Sequence, residues 1–303
     1  MFCNKNYYYA DEKIEINLKL RDQFKSKNFK ARIHIHDFNE RKIGTVTADV
    51  KYFPQHNNSR EEYYKYSTTH KGSFSLDSLN LQSNVYYVRL GIMKYPITIL
   101  TKEQKDIIVV FPINTIQAYN RAGGKNLYHS YYSKHSADSH SHRARKVTFK
   151  RPLEPTSQMF LFEAEFIKWF QDKNYNMKYI TDHQLEDITE FDNSKLLIII
   201  GHNEYITRKA IENMTHYVNT GKNMLVLSGN TFWWQVRYED DMNTLVCYKN
   251  NNDDPIEDKN LKILNLPNQI DIYGLIGLDF RLGGYGRNKA KTYKEYCQIK
   301  NLS

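Results

Sequence analysis

The tetrad Gly201-His202-Asn203-Glu204 follows directly on the apolar run Leu196-Leu197-Ile198-Ile199-Ile200. An imidazole and a carboxylate two residues apart can bind a metal or move protons. The plainer reading of the same residues is a helix N-terminus with a histidine nearby. Two other places carry polar groups after an apolar run: Gly229-Asn230, and the segment Asn114 to Asn120 with Tyr119 in it. Alone, Asn230 reads as a turn former and Tyr119 as a packed aromatic. His129, His135, His140 and His142 look like metal-ligand material, but they sit in a Ser/Lys/Arg-rich loop without Cys partners or a helical frame. His34 and His36 share one face of a strand and read as an exposed pair rather than a metal pair. Trp233-Trp234 reads as core or loop anchor. No Gly-x-Ser-x-Gly elbow occurs. None of the three Cys follows a predicted sheet strand into a helix, which disfavours a cysteine-dependent amidotransferase.

The surrounding elements explain how these residues could meet. Five large aliphatics in a row are a buried strand, and ligands of parallel α/β sheets sit at the carboxyl ends of strands. Ile206, Ala210, Ile211, Met214, Tyr217 and Val218 recur at helical spacing, with Gly221 closing the run, so a helix is expected directly after the tetrad. Met224-Leu225-Val226-Leu227-Ser228 is the next strand. Ile107-Ile108-Val109-Val110-Phe111 and Met177-Lys178-Tyr179-Ile180 are others, and Met159, Phe162, Phe166, Trp169 and Phe170 mark one face of a helix between them. Alternating strands and helices of this kind make a parallel, doubly wound sheet. Before residue 100 the period is two: Lys13 to Leu20 and Ala31 to His36 alternate strictly, and short strands follow at 44–50, 73–76 and 85–90. The expected fold is therefore an N-terminal antiparallel β-sandwich over 1–100, then a doubly wound, mostly parallel α/β domain over 105–303. Thr101 to Lys105 forms a polar linker between them.

The chain has 303 residues, a formal charge of +9 and three Cys. No Lys/Arg block is long, so nucleic acid is not an expected partner. The cysteine count is odd and sparse and does not describe a disulfide framework. No run approaches membrane-spanning length and the start lacks a signal-peptide core, so a cytoplasmic protein off the membrane is expected. The pattern weakens after about 250, and the basic tail from Asn288 has no clear element; a fold of this kind is expected to continue beyond it.

Several strings resemble the large (beta) subunit of N,N-dimethylformamidase and its relatives. They are Ser83-Asn84-Val85-Tyr86, Asn114 to Asn120, Gly123-Gly124, Phe149-Lys150-Arg151-Pro152, Gly201-His202-Asn203-Glu204-Tyr205, Ser228 to Arg237 and Arg281-Leu282-Gly283-Gly284-Tyr285. The resemblance spans roughly 80 to 285 and implies a class I glutamine amidotransferase-like architecture. It also implies a mononuclear Fe(III) held by Tyr86, Tyr119 and Glu204, with His202 as a catalytic group and Asn230 lining the pocket. Tyr87 is the alternative to Tyr86, and Tyr128 the alternative to Tyr119. The implied activity is hydrolysis of a small N-substituted amide, with a homo-oligomer or a small partner subunit. The other functions in view are a non-catalytic binding or assembly protein that keeps the fold, and a hydrolase of a larger amide or glycan-linked substrate. Hard ferric iron prefers anionic oxygen ligands, and two phenolates with one carboxylate balance its three charges. The reading requires Tyr86, Tyr119 and Glu204 to converge on one point; if Tyr86 faces away, that iron site fails and the binding-protein alternative takes its place.

Overall fold

The computed structural model describes residues 1–20, 27–57, 66–130, 142–154, 161–173, 175–249, 253–258 and 270–277. His135, His140, Met159, Cys297 and the string Arg281 to Tyr285 lie outside the described residues.

The first hundred residues form one continuous eight-stranded sheet. Its strands are β1 (Phe2–Cys3), β2 (Tyr7–Tyr9), β3 (Ile14–Leu18), β4 (Phe29–His36), β5 (Lys42–Asn57), β6 (Tyr66–Phe74), β7 (Asn84–Leu90) and β8 (Met93–Leu100). Their order is β1-β3-β6-β5-β4-β7-β8-β2, antiparallel except where β2 lies parallel to β8. The period-two pattern is what buries one face: Ile14, Ile16, Ile33, Ile35, Val88, Ile97 and Ile99 meet in a single apolar core. The sheet curls around that core, with hydrogen bonding unbroken from β1 to β2.

After Leu100 the parallel strands begin. Strands β9 (Ile107–Phe111), β11 (Met177–Thr181), β12 (Leu196–His202) and β14 (Asn223–Gly229) form a parallel sheet in the order β11-β9-β12-β14. Strand β12 is covered on both faces, which is why it reads as a continuous apolar run. Ile198 and Ile200 pack with Ile167 and Phe170 of helix α2 (Leu161–Gln171). Ile199 packs on the other side with Ala210, Ile211 and Met214 of helix α3 (Arg208–Asn219). A further sheet, in the order β10-β16-β15-β13, joins β10 (Lys146–Thr148), β16 (Thr244–Val246), β15 (Trp234–Glu239) and β13 (Tyr205–Thr207).

Strand β13 corrects one expectation. The helix does not start directly after the tetrad; Tyr205–Thr207 first pairs with Trp234–Val236 of β15. The helix begins at Arg208, where the Thr207 side chain accepts from Ala210 N at 3.2 Å. Ile206 had been counted into the helical pattern because it is buried with Ala210 and Ile211. It reaches the same core from a strand. A short helix α1 (Ile113–Tyr119) follows β9, and helix α4 (Ile272–Ile276) adds Ile272 to the core beside α3.

Candidate metal centre

The turn that delivers His202 and Glu204 is built around Gly201. Its φ is +76°, and a Cβ there would lie 2.2 Å from Glu163 Oε1. Only glycine tolerates both the left-handed conformation and the close approach. The Glu163 carboxylate, on α2, then accepts His202 N at 2.9 Å. Asn203 N donates to Ser228 Oγ at 3.1 Å, Glu204 N donates to Thr115 Oγ1 at 2.9 Å, and Trp234 N donates to Glu204 O at 2.8 Å. The backbone of the tetrad is thereby tied to α1, α2, β14 and β15.

Two phenols meet the Glu204 carboxylate. Tyr119, the last residue of α1, donates from Oη to Glu204 Oε2 at 2.6 Å. Tyr128 Oη donates to the other carboxylate oxygen, Oε1. The two rings stack with centroids 4.5 Å apart. Asn126 explains why Tyr128 returns to the helix it left. Its Nδ2 donates to Tyr119 O at 2.9 Å, and its Oδ1 accepts from Tyr128 N and His129 N at 2.8 and 2.7 Å. Gly123 and Gly124, at φ +84° and +88°, turn the chain between the two tyrosines. The buried Arg151 props this loop from beneath, donating to Gln117 Oε1 at 2.8 Å and to the carbonyl of Gln117. The string Phe149-Lys150-Arg151-Pro152 thus positions the site rather than lining it.

His202 Nε2 approaches Glu204 Oε2 at 3.2 Å, and its ring lies 5.2 Å from that of Tyr119. On its outer side His202 borders a cleft of about 400 Å³ with Gly201, Leu227, Ser228, Gly229 and Asn230. Asn230 therefore borders the same cleft as His202.

Lys249, just beyond β16, is the residue that sequence reasoning missed. Its Nζ stands 3.2 Å from the Tyr128 ring centroid, 4.9 Å from that of Trp234 and 5.1 Å from that of Tyr205. Burial pushes its ammonium down to about 8, against the attraction of Cys247 and Glu204. A single Lys after Cys247-Tyr248 has no spacing signal, because its partners lie far away in sequence.

Tyr86 is not part of this group. On β7 its side chain faces the core of the eight-stranded sheet, and its Oη donates to Gln82 O at 3.0 Å. Burial, followed by the charge of Asp37, pushes this phenol up to about 12. Tyr87 faces the opposite side, stacked on Phe38 at 4.4 Å with Lys94 Nζ 4.5 Å above it. The set of Tyr86, Tyr119 and Glu204 is therefore not assembled, and neither is one with Tyr87. Strand alternation sends the two tyrosines to opposite faces, and neither phenol meets Glu204. Tyr128, expected as a substitute for Tyr119, stands beside it instead.

The electrostatics of the cluster fit a cation. Burial by itself raises the Glu204 carboxyl, but hydrogen bonds from His202, Tyr119 and Tyr128, with Lys249 nearby, outweigh it and hold Glu204 below its ordinary value. Burial and the Glu204 charge push both phenols well above 10. Without a metal the two phenols keep their protons and act as donors. A trivalent cation would displace both protons and find three anionic oxygen ligands already gathered. Among the described residues no group of three or more His, Cys, Asp and Glu could hold a metal ion. This donor set is of another kind, made of phenols and one carboxylate.

The family model for N,N-dimethylformamidase beta subunit-like proteins, C-terminal, matches residues 54–268, which include every residue of this cluster. The chain belongs to this family. No curated protein matches the chain. The match takes in β6 to β16, so the dimethylformamidase-like region includes β6, β7 and β8 of the eight-stranded sheet as well as the parallel one. No helix among the described residues is long and apolar enough to cross a membrane.

The start of α1 is anchored by a second buried pair. Asp182 Oδ2 accepts Asn114 N at 2.7 Å, and burial pushes the Asp182 carboxyl up to about 8. Next to it, burial pushes His183 down to about 4 while its Nε2 donates to Met242 O at 3.2 Å. The folded Asp182 keeps a proton that the unfolded chain releases near 3.8, so its contribution is full at low pH and is lost as pH rises toward 8. The folded His183 lacks a proton that the unfolded chain holds up to 6.5, so its contribution is full above 6.5 and lost on acidification toward 4. Between these limits the two slopes oppose each other. Above 6.5 only Asp182 remains, at up to about 1.4 kcal/mol per pH unit. Wild-type stability relative to Asp182→Asn is expected to fall between pH 6.5 and 8 in urea melts. Parallel pH profiles would count against a buried, protonated Asp182.

Proposed function

We propose that this chain is an iron-dependent amidohydrolase that cleaves small N-substituted amides of the dimethylformamide type to a carboxylate and an amine. The observation that carries the reading is that Tyr119 and Tyr128 donate to the two oxygens of one carboxylate, Glu204, with the His202 imidazole beside it. Tyr119, Tyr128 and Glu204 would hold a single Fe(III). When bound, the ion supplies Lewis-acid polarisation of an amide carbonyl and acidifies a water. The His202 imidazole takes the proton of the attacking water at the ring nitrogen that does not face Glu204 and returns it to the leaving nitrogen, which is a poor leaving group until protonated. Asn230, in the cleft beside His202, presents a carboxamide that donates to or accepts from the substrate amide. Lys249 places a cation against Tyr128, which favours the phenolate form of that ligand.

The family's description as beta subunit-like supports a partner subunit. The four parallel strands with α2 and α3 on opposite faces support an amidotransferase-like architecture for the region after residue 105, and the curled first sheet a sandwich-like one. A non-catalytic binding or assembly role is the second reading, favoured by the position of Tyr86 away from Glu204.

The test is dimethylamine release from dimethylformamide by the iron-loaded protein. His202→Ala is expected to lower it by about 10²–10⁴-fold, the range of general acid–base catalysis, with iron content unchanged. Full iron loading with no amine released from dimethylformamide, formamide or acetamide would leave the binding protein as the reading.

A further inference from the structure

The cleft beside His202 has room for more than dimethylformamide, and the register of two strands explains why. Strands β12 and β14 run parallel, with Ile198 opposite Leu225, Ile200 opposite Leu227 and His202 opposite Gly229. Paired residues share a face of the sheet, so Leu225 and Leu227 lie on the side that α2 covers at Ile198 and Ile200. The cover stops short of β14. Ile200 is fully buried, whereas Leu227 is 48% exposed. Taken singly, an exposed leucine is ordinary. This one stands in the wall of a cleft of about 400 Å³ that His202 and Asn230 also line.

Gly229 makes the room. A Cβ at this position, opposite His202, would meet no atom within 4 Å. Its backbone is not left-handed either. Neither conformation nor packing therefore asks for glycine there; what it leaves is open space next to the imidazole. Apart from His202 the lining carries no ionisable group, so a charged ligand finds no ionic partner in it. The Ser228 hydroxyl is engaged with the chain, since its Oγ accepts Asn203 N at 3.1 Å. Asn230 is left as the polar contact, and Leu227 as the apolar one.

We infer that this cleft is the subsite for the nitrogen substituent of the amide, where Leu227 and Gly229 select a neutral alkyl chain longer than methyl. The inference rests on the amidohydrolase reading, in which His202 protonates the leaving nitrogen. The substituents on that nitrogen then lie nearest the imidazole, where the space opens over Gly229 toward Leu227. A water molecule takes about 30 Å³ of liquid, and dimethylformamide only a few times that, so much of the cleft is free for a longer chain. Butyl exceeds methyl by three methylenes, each worth about fourfold in affinity when fully buried. Leu227 leaves one side of the chain in water, so the expected preference is about tenfold or more rather than the full product.

The test compares N-butyl-N-methylformamide with N,N-dimethylformamide. With the iron-loaded chain, KM for the butyl amide is expected to be lower by about tenfold or more, with kcat changed much less, because a contact away from the reacting atoms is uniform binding. Leu227→Ser should bring the two KM values together. Gly229→Leu, which puts a side chain into the open space, should make the butyl amide the poorer substrate. Both positions are exposed, so the variants should melt close to wild type. The same preference should appear without turnover. In the iron-free chain the butyl amide should raise the melting temperature at about tenfold lower concentration than dimethylformamide, and Leu227→Ser should remove that difference. Turnover of dimethylformamide with equal KM for the two amides overturns the subsite and leaves the hydrolase standing. Release of no amine from either amide overturns the hydrolase, and the melting series then decides the cleft: a butyl preference lost in Leu227→Ser supports an alkyl-amide site, and no preference overturns it. A preference that survives both variants also overturns the inference, because the chain would then lie elsewhere.

Discussion

If Fe(III) sits at the proposed site, iron is expected to raise the melting temperature of the wild-type chain, and Glu204→Ala is expected to reduce iron binding to background and to lose that rise. The carboxylate accepts from both phenols, at Oε2 and Oε1, so its loss removes one ligand and the shared acceptor of the other two. It also takes from the half-buried Tyr119 and Tyr128 the carboxylate that accepts from both, at a cost of roughly 0.5–1.5 kcal/mol for each hydrogen bond. The apo variant should therefore melt lower than the apo wild type, in addition to losing the response to iron. A ligand that binds only the folded state stabilises by RT ln(1 + [L]/Kd), about 2.7 kcal/mol at a hundredfold excess over Kd. Glu204→Gln provides the control for folding. It keeps an acceptor for one phenol, so it should fold close to wild type and still fail to balance a trivalent charge. His202→Ala should retain iron, since Nε2 approaches Glu204 rather than replacing it. Metal analysis of the three variants beside wild type, with melting in the presence and absence of iron, separates the roles. Equal iron loss in His202→Ala would make the imidazole a ligand, and iron retained by Glu204→Ala would remove the carboxylate from the site.

The position of Glu204 was legible in the sequence because it follows from local physics. An apolar run long enough for one strand ends at a glycine, and what comes next must stand at the carboxyl edge of the sheet. The helix after it was legible in its amphipathic face but not in its start, because Ile206 shares the α3 core while belonging to β13. Tyr86 failed for a related reason. In β7 Asn84, Val85, Tyr86, Tyr87 and Val88 are all buried, so apolar character no longer alternates and the two faces cannot be told apart. The first sheet meets its own core on one side and the α/β region on the other, and both sides accept a tyrosine. Tyr128 could be singled out only as a rival. What brings it to Glu204 is a loop folded by Asn126 and two left-handed glycines, and that geometry leaves no periodicity to read. Lys249 depends on contacts with the rings of Tyr128, Tyr205 and Trp234, which stand on three separate segments that a single sequence gives no reason to bring together. The Ser83 string was singled out for its likeness to the family, and its contacts are with Tyr179, away from Glu204.

The tyrosine variants carry the most decisive expected result. Ferric phenolates absorb visible light by ligand-to-metal charge transfer, whereas metal-free phenols and carboxylates do not. Iron-loaded wild-type protein should thus be coloured. If Tyr119 and Tyr128 are both ligands, Tyr119→Phe and Tyr128→Phe should each shift the band and lower its intensity, and the double variant should be colourless. Tyr86→Phe should leave the band in place, because its phenol donates to Gln82 O within the first sheet. The phenylalanine replacements retain the ring stack between positions 119 and 128, which lies at 4.5 Å, so the loop can keep its course while only the oxygen is lost. Each single variant removes one anionic ligand of three, and the remaining pair no longer balances Fe(III), so iron affinity should fall at least tenfold as well. The position of Lys249 predicts an asymmetry. Its Nζ lies over the Tyr128 ring and would stabilise a phenolate formed there on iron binding, so Lys249→Met should perturb the band of the Tyr119→Phe protein more than that of the Tyr128→Phe protein. Loss of colour in Tyr86→Phe with retention in Tyr128→Phe would reverse the assignment made from the geometry. It would mean that β7 turns its tyrosine toward Glu204 when iron binds. An iron-replete wild-type protein without a visible band would exclude phenolate ligands altogether.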